Sequence, residues 1–254
     1  MLRTGNPALK ETTFLDLSSG AVVSRDGGAM TLNGTVHRTA LLLFLAVLTA
    51  AFAWNSVDIG ANGVSANFGV YLWGGLIGGL VFAFATIFRP AWSPVTAPLY
   101  ALFEGLFLGA ISALYDARFN GIVLQAVMLT MGTLFALLFA YRSGLIKATE
   151  NFKLGVVAAT GGIALIYLAT IALSFFGIHV PYIHESGLVG IGFSLFVVVV
   201  AALNLVLDFD FIEKGVEQGA PKYMEWYGAF GLMVTLVWLY LELLRLLSKL
   251  QSRN

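Results

Sequence analysis

The sequence contains no cysteine. That excludes a disulfide framework, a thiolate metal cluster and a thiol nucleophile. Charge is also scarce, at 11% of residues, where a soluble domain carries roughly 25%. Fourteen basic and fourteen acidic residues cancel, and no polybasic block stands out, so no nucleic-acid partner is expected. The three histidines, His37, His179 and His184, fall at the ends of apolar runs or between them. Neither a Gly-x-Ser-x-Gly nor a His-Glu-x-x-His pattern occurs, and the glycine pairs lie inside apolar segments rather than in a phosphate-cradling loop. No lysine sits at the middle of the last apolar segment, which argues against a retinal Schiff base. Asp208 and Asp210, two apart on a helix, point different ways and make no ready acid pair for hydrolysis. The chain is therefore read as a non-enzyme with no cofactor.

What is present is apolar length. Hydrophobic residues make up 59% of the 254. Residues 1–34 are mixed polar, with no apolar core of a secretory signal, and read as a flexible tail. Residues 35–254 hold seven segments of the roughly 20 residues needed to cross a bilayer as helices: 35–54, 67–88, 94–115, 121–141, 155–178, 187–213 and 224–247. The fold class is an all-α membrane protein, a seven-helix bundle behind a polar tail. Ten of the lysines and arginines fall on the tail side of this arrangement and only Arg118, Arg245, Lys249 and Arg253 on the other. That bias predicts a cytoplasmic N-terminus and an outward C-terminus, although the basic C-terminus pulls the other way. Gly74 and Gly78, Gly75 and Gly79, and Gly105 and Gly109 are small-xxx-small pairs that let helices approach closely within the bundle. Pro98 is expected in the first turn of the third helix, where a missing N–H costs little.

The rare acids carry the functional reading. Glu104, Asp208 and Glu242 are the acids placed inside the bundle, and an intramembrane carboxylate is rarely incidental. With a rise of about 1.5 Å per residue, Glu104 lies roughly 15 Å from the inner side, Asp208 roughly 8 Å and Glu242 roughly 27 Å. Glu104 and Asp208 can then share a layer. Asn204 shares the Asp208 face, one turn earlier. Arg89, at the inner end of the second helix, is the expected partner of Glu104. Glu242 either pairs with Arg245 or is wet, and Asp210 and Glu213 are expected in water.

The run Leu207-Asp208-Phe209-Asp210-Phe211-Ile212-Glu213-Lys214, ending the sixth of seven helices, resembles the transmembrane Bax inhibitor motif family, most closely its bacterial Bax-inhibitor-like branch. Asn6-Pro7-Ala8-Leu9-Lys10, Met30-Thr31-Leu32-Asn33-Gly34-Thr35-Val36 and Glu104-Gly105-Leu106-Phe107-Leu108-Gly109 look like that branch too. The resemblance implies a bundle with the last helix central, a pH-sensitive calcium leak and, in eukaryotic relatives, suppression of cell death. It places the family's helix-six aspartate on Asp208 and its helix-two arginine on Arg89. The helix-seven aspartate falls on Thr235 if Leu243-Leu244-Arg245 is matched, or on Glu242 if Leu239-Tyr240-Leu241 is matched. Depth favours Thr235, and Glu104 would then be the second carboxylate.

Three functions compete at this point. One is a calcium or proton-linked leak through the bilayer, gated by Asp208 and Glu104, which would hold calcium transiently. Another is a membrane scaffold that binds other membrane proteins and transports nothing. A proton-coupled carrier would show broken helices or repeated halves, and neither is visible. A monomer in a bacterial inner membrane is expected.

Overall fold

The computed structural model describes residues 28–60, 63–177 and 187–253. Among these residues the chain forms seven long helices: α1 (Leu32–Asn55), α2 (Ala66–Phe88), α3 (Ser93–Arg118), α4 (Ile122–Arg142), α5 (Glu150–Phe175), α6 (Leu188–Glu217) and α7 (Met224–Gln251). All seven are long and apolar enough to span a membrane. The first long linker also holds a two-residue hairpin, β1 (Ile59–Gly60) and β2 (Gly63–Val64), paired antiparallel with Ile59 opposite Val64. The tail lies outside the described residues up to position 27, and the loop 178–186 lies outside them as well.

The helix ends follow from local chemistry. Thr31 caps α1, its hydroxyl accepting from the Gly34 N–H at 3.0 Å, a bond that satisfies one orphan donor of the first turn. Thr149 does the same for α5, accepting from Phe152 N–H at 3.3 Å. That cap starts α5 at Glu150 rather than at 155. Gly219, with φ of 66°, follows the end of α6, which runs through the acids to Glu217 rather than stopping at 213. Asp208 is thus nine residues before the helix end, about 14 Å along its axis rather than 8 Å. Pro90–Trp92 form a 3₁₀ turn into α3. Pro98 lies inside α3, beyond its first turn, where it removes one ladder bond that α-helices in lipid tolerate when neighbours hold them.

Burial separates the helices. In the most apolar stretch of each, α7 is the most buried at 67% and α5 the least at 11%. On α2 the exposed side chains Val70, Trp73, Ile77, Val81, Phe84 and Phe88 recur at three- and four-residue spacing and form one apolar stripe for lipid.

The described chain divides into two compact units. Gly121–Asp210 and α7 from Thr235 onward form one; the residues up to Asn120 and Phe211–Val234 form the other. In the first, Ile163, Val197 and Val200 form a core against Ala159, Tyr167, Phe193 and Trp238. In the second, the ring of Tyr100 meets Phe230 edge-on at 5.0 Å, and Phe82 stacks on Phe103. The Ser93 hydroxyl donates to the Tyr223 carbonyl at 2.9 Å, and Thr86 donates to Thr96 at 2.7 Å.

The second unit also holds the glycine contacts expected from sequence. A side chain at Gly105 would run into Ala46 and Thr49, and one at Gly109 into the Ala50 backbone. Gly75 and Gly78 admit Phe103 and Phe107 in the same way, whereas Gly74 faces open space. Gly109→Ala should therefore lower stability by about 1–3 kcal/mol, the range for overpacking, and Gly74→Ala should be neutral. Thermal unfolding in detergent measures both, and equal midpoints for the two variants would show that the α1–α3 approach is not tight.

The last residues before α1 are part of the fold. The Met30 N–H donates to the Ala220 carbonyl at 2.7 Å, Ala29 bridges to Pro221, and Met30 is buried. The boundary at 34 expected from sequence is corrected by this docking: folded structure begins at least by Ala29.

Candidate functional site

Asp208 lies on α6 and its side chain is wholly shielded from solvent. Asn204, one turn earlier, is also buried. It donates to Thr160 Oγ1 on α5 at 2.8 Å and to the Val200 carbonyl at 2.9 Å. Thr235, the alternative family position on α7, is buried as well. Asp208, Asn204 and Thr235 all belong to one unit. An acid this deep in a spanning helix carries a desolvation cost that only partners or protonation offset.

Glu104 belongs to the other unit. It is buried on α3, and its Oε2 lies 2.8 Å from where a side chain on Gly79 would begin. The glycine makes room for the carboxylate. Arg89 is not its partner. It is exposed, and its guanidinium sits over the Trp92 ring at 5.7 Å. Arg89 is the C-cap of α2 and Trp92 ends the 3₁₀ turn that follows, so a local cation–π contact takes the group that was expected to reach Glu104.

Asp210 is not in water either. Its Oδ2 stands 2.9 Å from Lys153 Nζ, and Glu150 Oε1 stands 3.2 Å from the same ammonium. The Lys153 side chain is only 4% exposed. Glu213 is exposed, as expected.

Glu242 pairs with Arg245 and is buried, which removes the wet alternative. Arg245 Nη1 donates to Glu242 Oε1 at 2.8 Å, to Oε2 at 3.1 Å and to the Tyr167 hydroxyl at 2.6 Å. Tyr167 in turn donates to Glu242 Oε1 at 3.0 Å, and the guanidinium lies 5.2 Å from its ring. This cluster binds α7 to α5. One turn on, Lys249 donates to the Gly190 carbonyl at 3.0 Å and Ser194 Oγ at 2.8 Å, which fastens α7 to the start of α6.

A further buried acid, Glu225, was not singled out from sequence. It lies in the first turn of α7 and accepts from Thr31 N–H at 3.0 Å and Thr31 Oγ1 at 2.8 Å. Lys222 Nζ is 2.7 Å away and Arg38 Nη2 3.8 Å, and Arg38 also covers the Trp226 ring at 4.9 Å. A side chain at Gly34 would occupy the carboxylate's place. Glu225 thus closes the N-terminus of α1, where a negative charge is favoured by the helix dipole.

Among the described residues no three His, Cys, Asp or Glu side chains gather to hold a metal ion. The buried and part-buried carboxylates are dispersed over several helices, with Asp210, Glu225 and Glu242 each against one or two cations. Such a protein is an integral membrane bundle with ionisable groups buried in its spanning helices. A family model described as Bax inhibitor 1 like matches residues 6–252, nearly the whole chain, and the chain belongs to that family. No curated protein and no solved structure matches it.

Proposed function

We propose that this protein is a pH-sensitive cation leak of the Bax inhibitor kind, with calcium as the principal cargo and Asp208 as its controlling carboxylate. The observation that carries the reading is the complete burial of Asp208 in a membrane-spanning helix. Glu104, with Gly79 cleared around it, is a further controlling carboxylate, in the other unit. A carboxylate in a dry site ionises only at a cost, so it keeps its proton or takes a cation. Calcium, a hard ion, suits such oxygen ligands. Asn204 and Thr235 supply neutral oxygens and amides on the path. Proton and calcium compete for the same carboxylate oxygens.

The bilayer is a bacterial inner membrane in this reading, the protein a monomer, and the N-terminus cytoplasmic. Because the chain lacks cysteine, single cysteines at Ser18 and Ser186 report orientation directly. With an impermeant thiol reagent on intact cells, Ser186→Cys should label and Ser18→Cys should not. The opposite pattern would invert the topology. Calcium entry into liposomes holding the purified protein tests the function itself. Entry above that of empty liposomes is expected, and its absence at every pH from 5 to 8 would leave a scaffold that binds other membrane proteins.

A further inference from the structure

Lys153 stands where a lysine is poorly placed. It lies one turn into α5, near the positive end of the helix dipole, and its ammonium is buried. A buried ion pair often contributes no more stability than an apolar pair of the same volume, so stability alone does not account for the charge. What the charge does provide is a contact of little net free energy that is strong while it is closed and weakened across the seam when either partner is neutralised or moved; Glu150, also on the ammonium, lies on α5 itself and holds nothing across.

Its place in the fold gives that property a use. α5 is the least buried of the seven helices, and its contact with α6 runs along one seam. At the acid end of that seam Lys153 holds Asp210. Two turns further along α5, Thr160 accepts the Asn204 amide. Beyond that the seam is apolar, with Ile163 against Val197 and Val200. The half of the seam nearest the acids is therefore polar, and the half beyond is dry and packed.

We propose that the Lys153–Asp210 pair is a latch that holds the start of α5 on the acid end of α6, and that its release parts the polar half of this seam and exposes Asn204. The Ile163 cluster is the hinge about which α5 moves. This deepens the leak reading by naming how the path is held shut, and it rests on that reading only for its effect on flux.

The test reads the seam itself. Val156, buried on α5 one turn beyond Lys153, is replaced by cysteine in the cysteine-free chain, and the rate of thiol labelling is measured in detergent. Lys153→Met and Asp210→Asn should each speed labelling at position 156 at least tenfold. The charge exchange Lys153→Asp with Asp210→Lys, which puts an acid at the helix start, should return it to within about threefold of the parent. In liposomes the single variants should leak more calcium and the exchanged pair should not. If Lys153→Met is not recovered folded, Asp210→Asn, nearly the same shape, is read alone. Labelling unchanged in the recovered single variants would overturn the latch, as would an exchanged pair that labels as fast as they do. Faster labelling with no flux from any form would keep the latch and refute the leak.

Discussion

Replacing Arg38 and Lys222 together by methionine is expected to lower stability by about 2–3 kcal/mol, and adding Glu225→Gln should recover most of the loss. The Glu225 side chain is completely shielded, while Lys222 and Arg38 are 43% and 34% exposed. Each cation alone is a part-wet partner worth about 1 kcal/mol or less. Removing both leaves a buried carboxylate with only its Thr31 bonds, which is the costly case. Glutamine in that setting still accepts from Thr31 and carries no charge. Thermal midpoints of the single, double and triple variants in detergent check this. A triple variant no more stable than the double would mean that the cations pack rather than neutralise, Arg38 through its cover of Trp226.

Arg245→Leu should cost more, about 3–5 kcal/mol, because it removes the cation paired with the buried Glu242, which keeps the Tyr167 hydroxyl, and strips that hydroxyl of one donor. Tyr167→Phe removes a single bond to a charged group and should cost about 1.5–3 kcal/mol. Glu242→Gln keeps an oxygen for both partners and should cost less than Arg245→Leu. The same unfolding measurement ranks the three. A milder effect for Arg245→Leu than for Glu242→Gln would show that the carboxylate is already neutral.

Which parts of this were readable in advance depends on the range of the interaction. All seven spanning helices follow from apolar length, since lipid leaves few alternatives for a 20-residue apolar run. Glu242 with Arg245 was legible because the two are three apart on one helix. Their bond to Tyr167, 75 residues away, was not. α5 was expected to begin at 155 because Glu150 and Lys153 lie outside the apolar run; Thr149, with Glu150 just after it, was the available cap signal. That shortened helix left Lys153 in a loop, and Asp210 without its partner. Arg89 was assigned to Glu104 as the basic residue at the inner end of the second helix, and the Trp92 ring beside it claims it. Glu225 reads as an ordinary acid at a helix start. Only the fold brings Thr31 and Arg38 to it, from nearly 200 residues away.

The central claim is that Asp208 controls cation passage. Calcium flux into liposomes across pH 5 to 8, compared for the wild-type chain, Asp208→Asn, Glu104→Gln and Glu242→Gln, tests it most directly. The account predicts that Asp208→Asn and Glu104→Gln each flatten the pH dependence, while Glu242→Gln, whose side chain is held by Arg245 and Tyr167, leaves it in place. A profile unchanged by Asp208→Asn would contradict the account and leave its buried carboxylate a structural group.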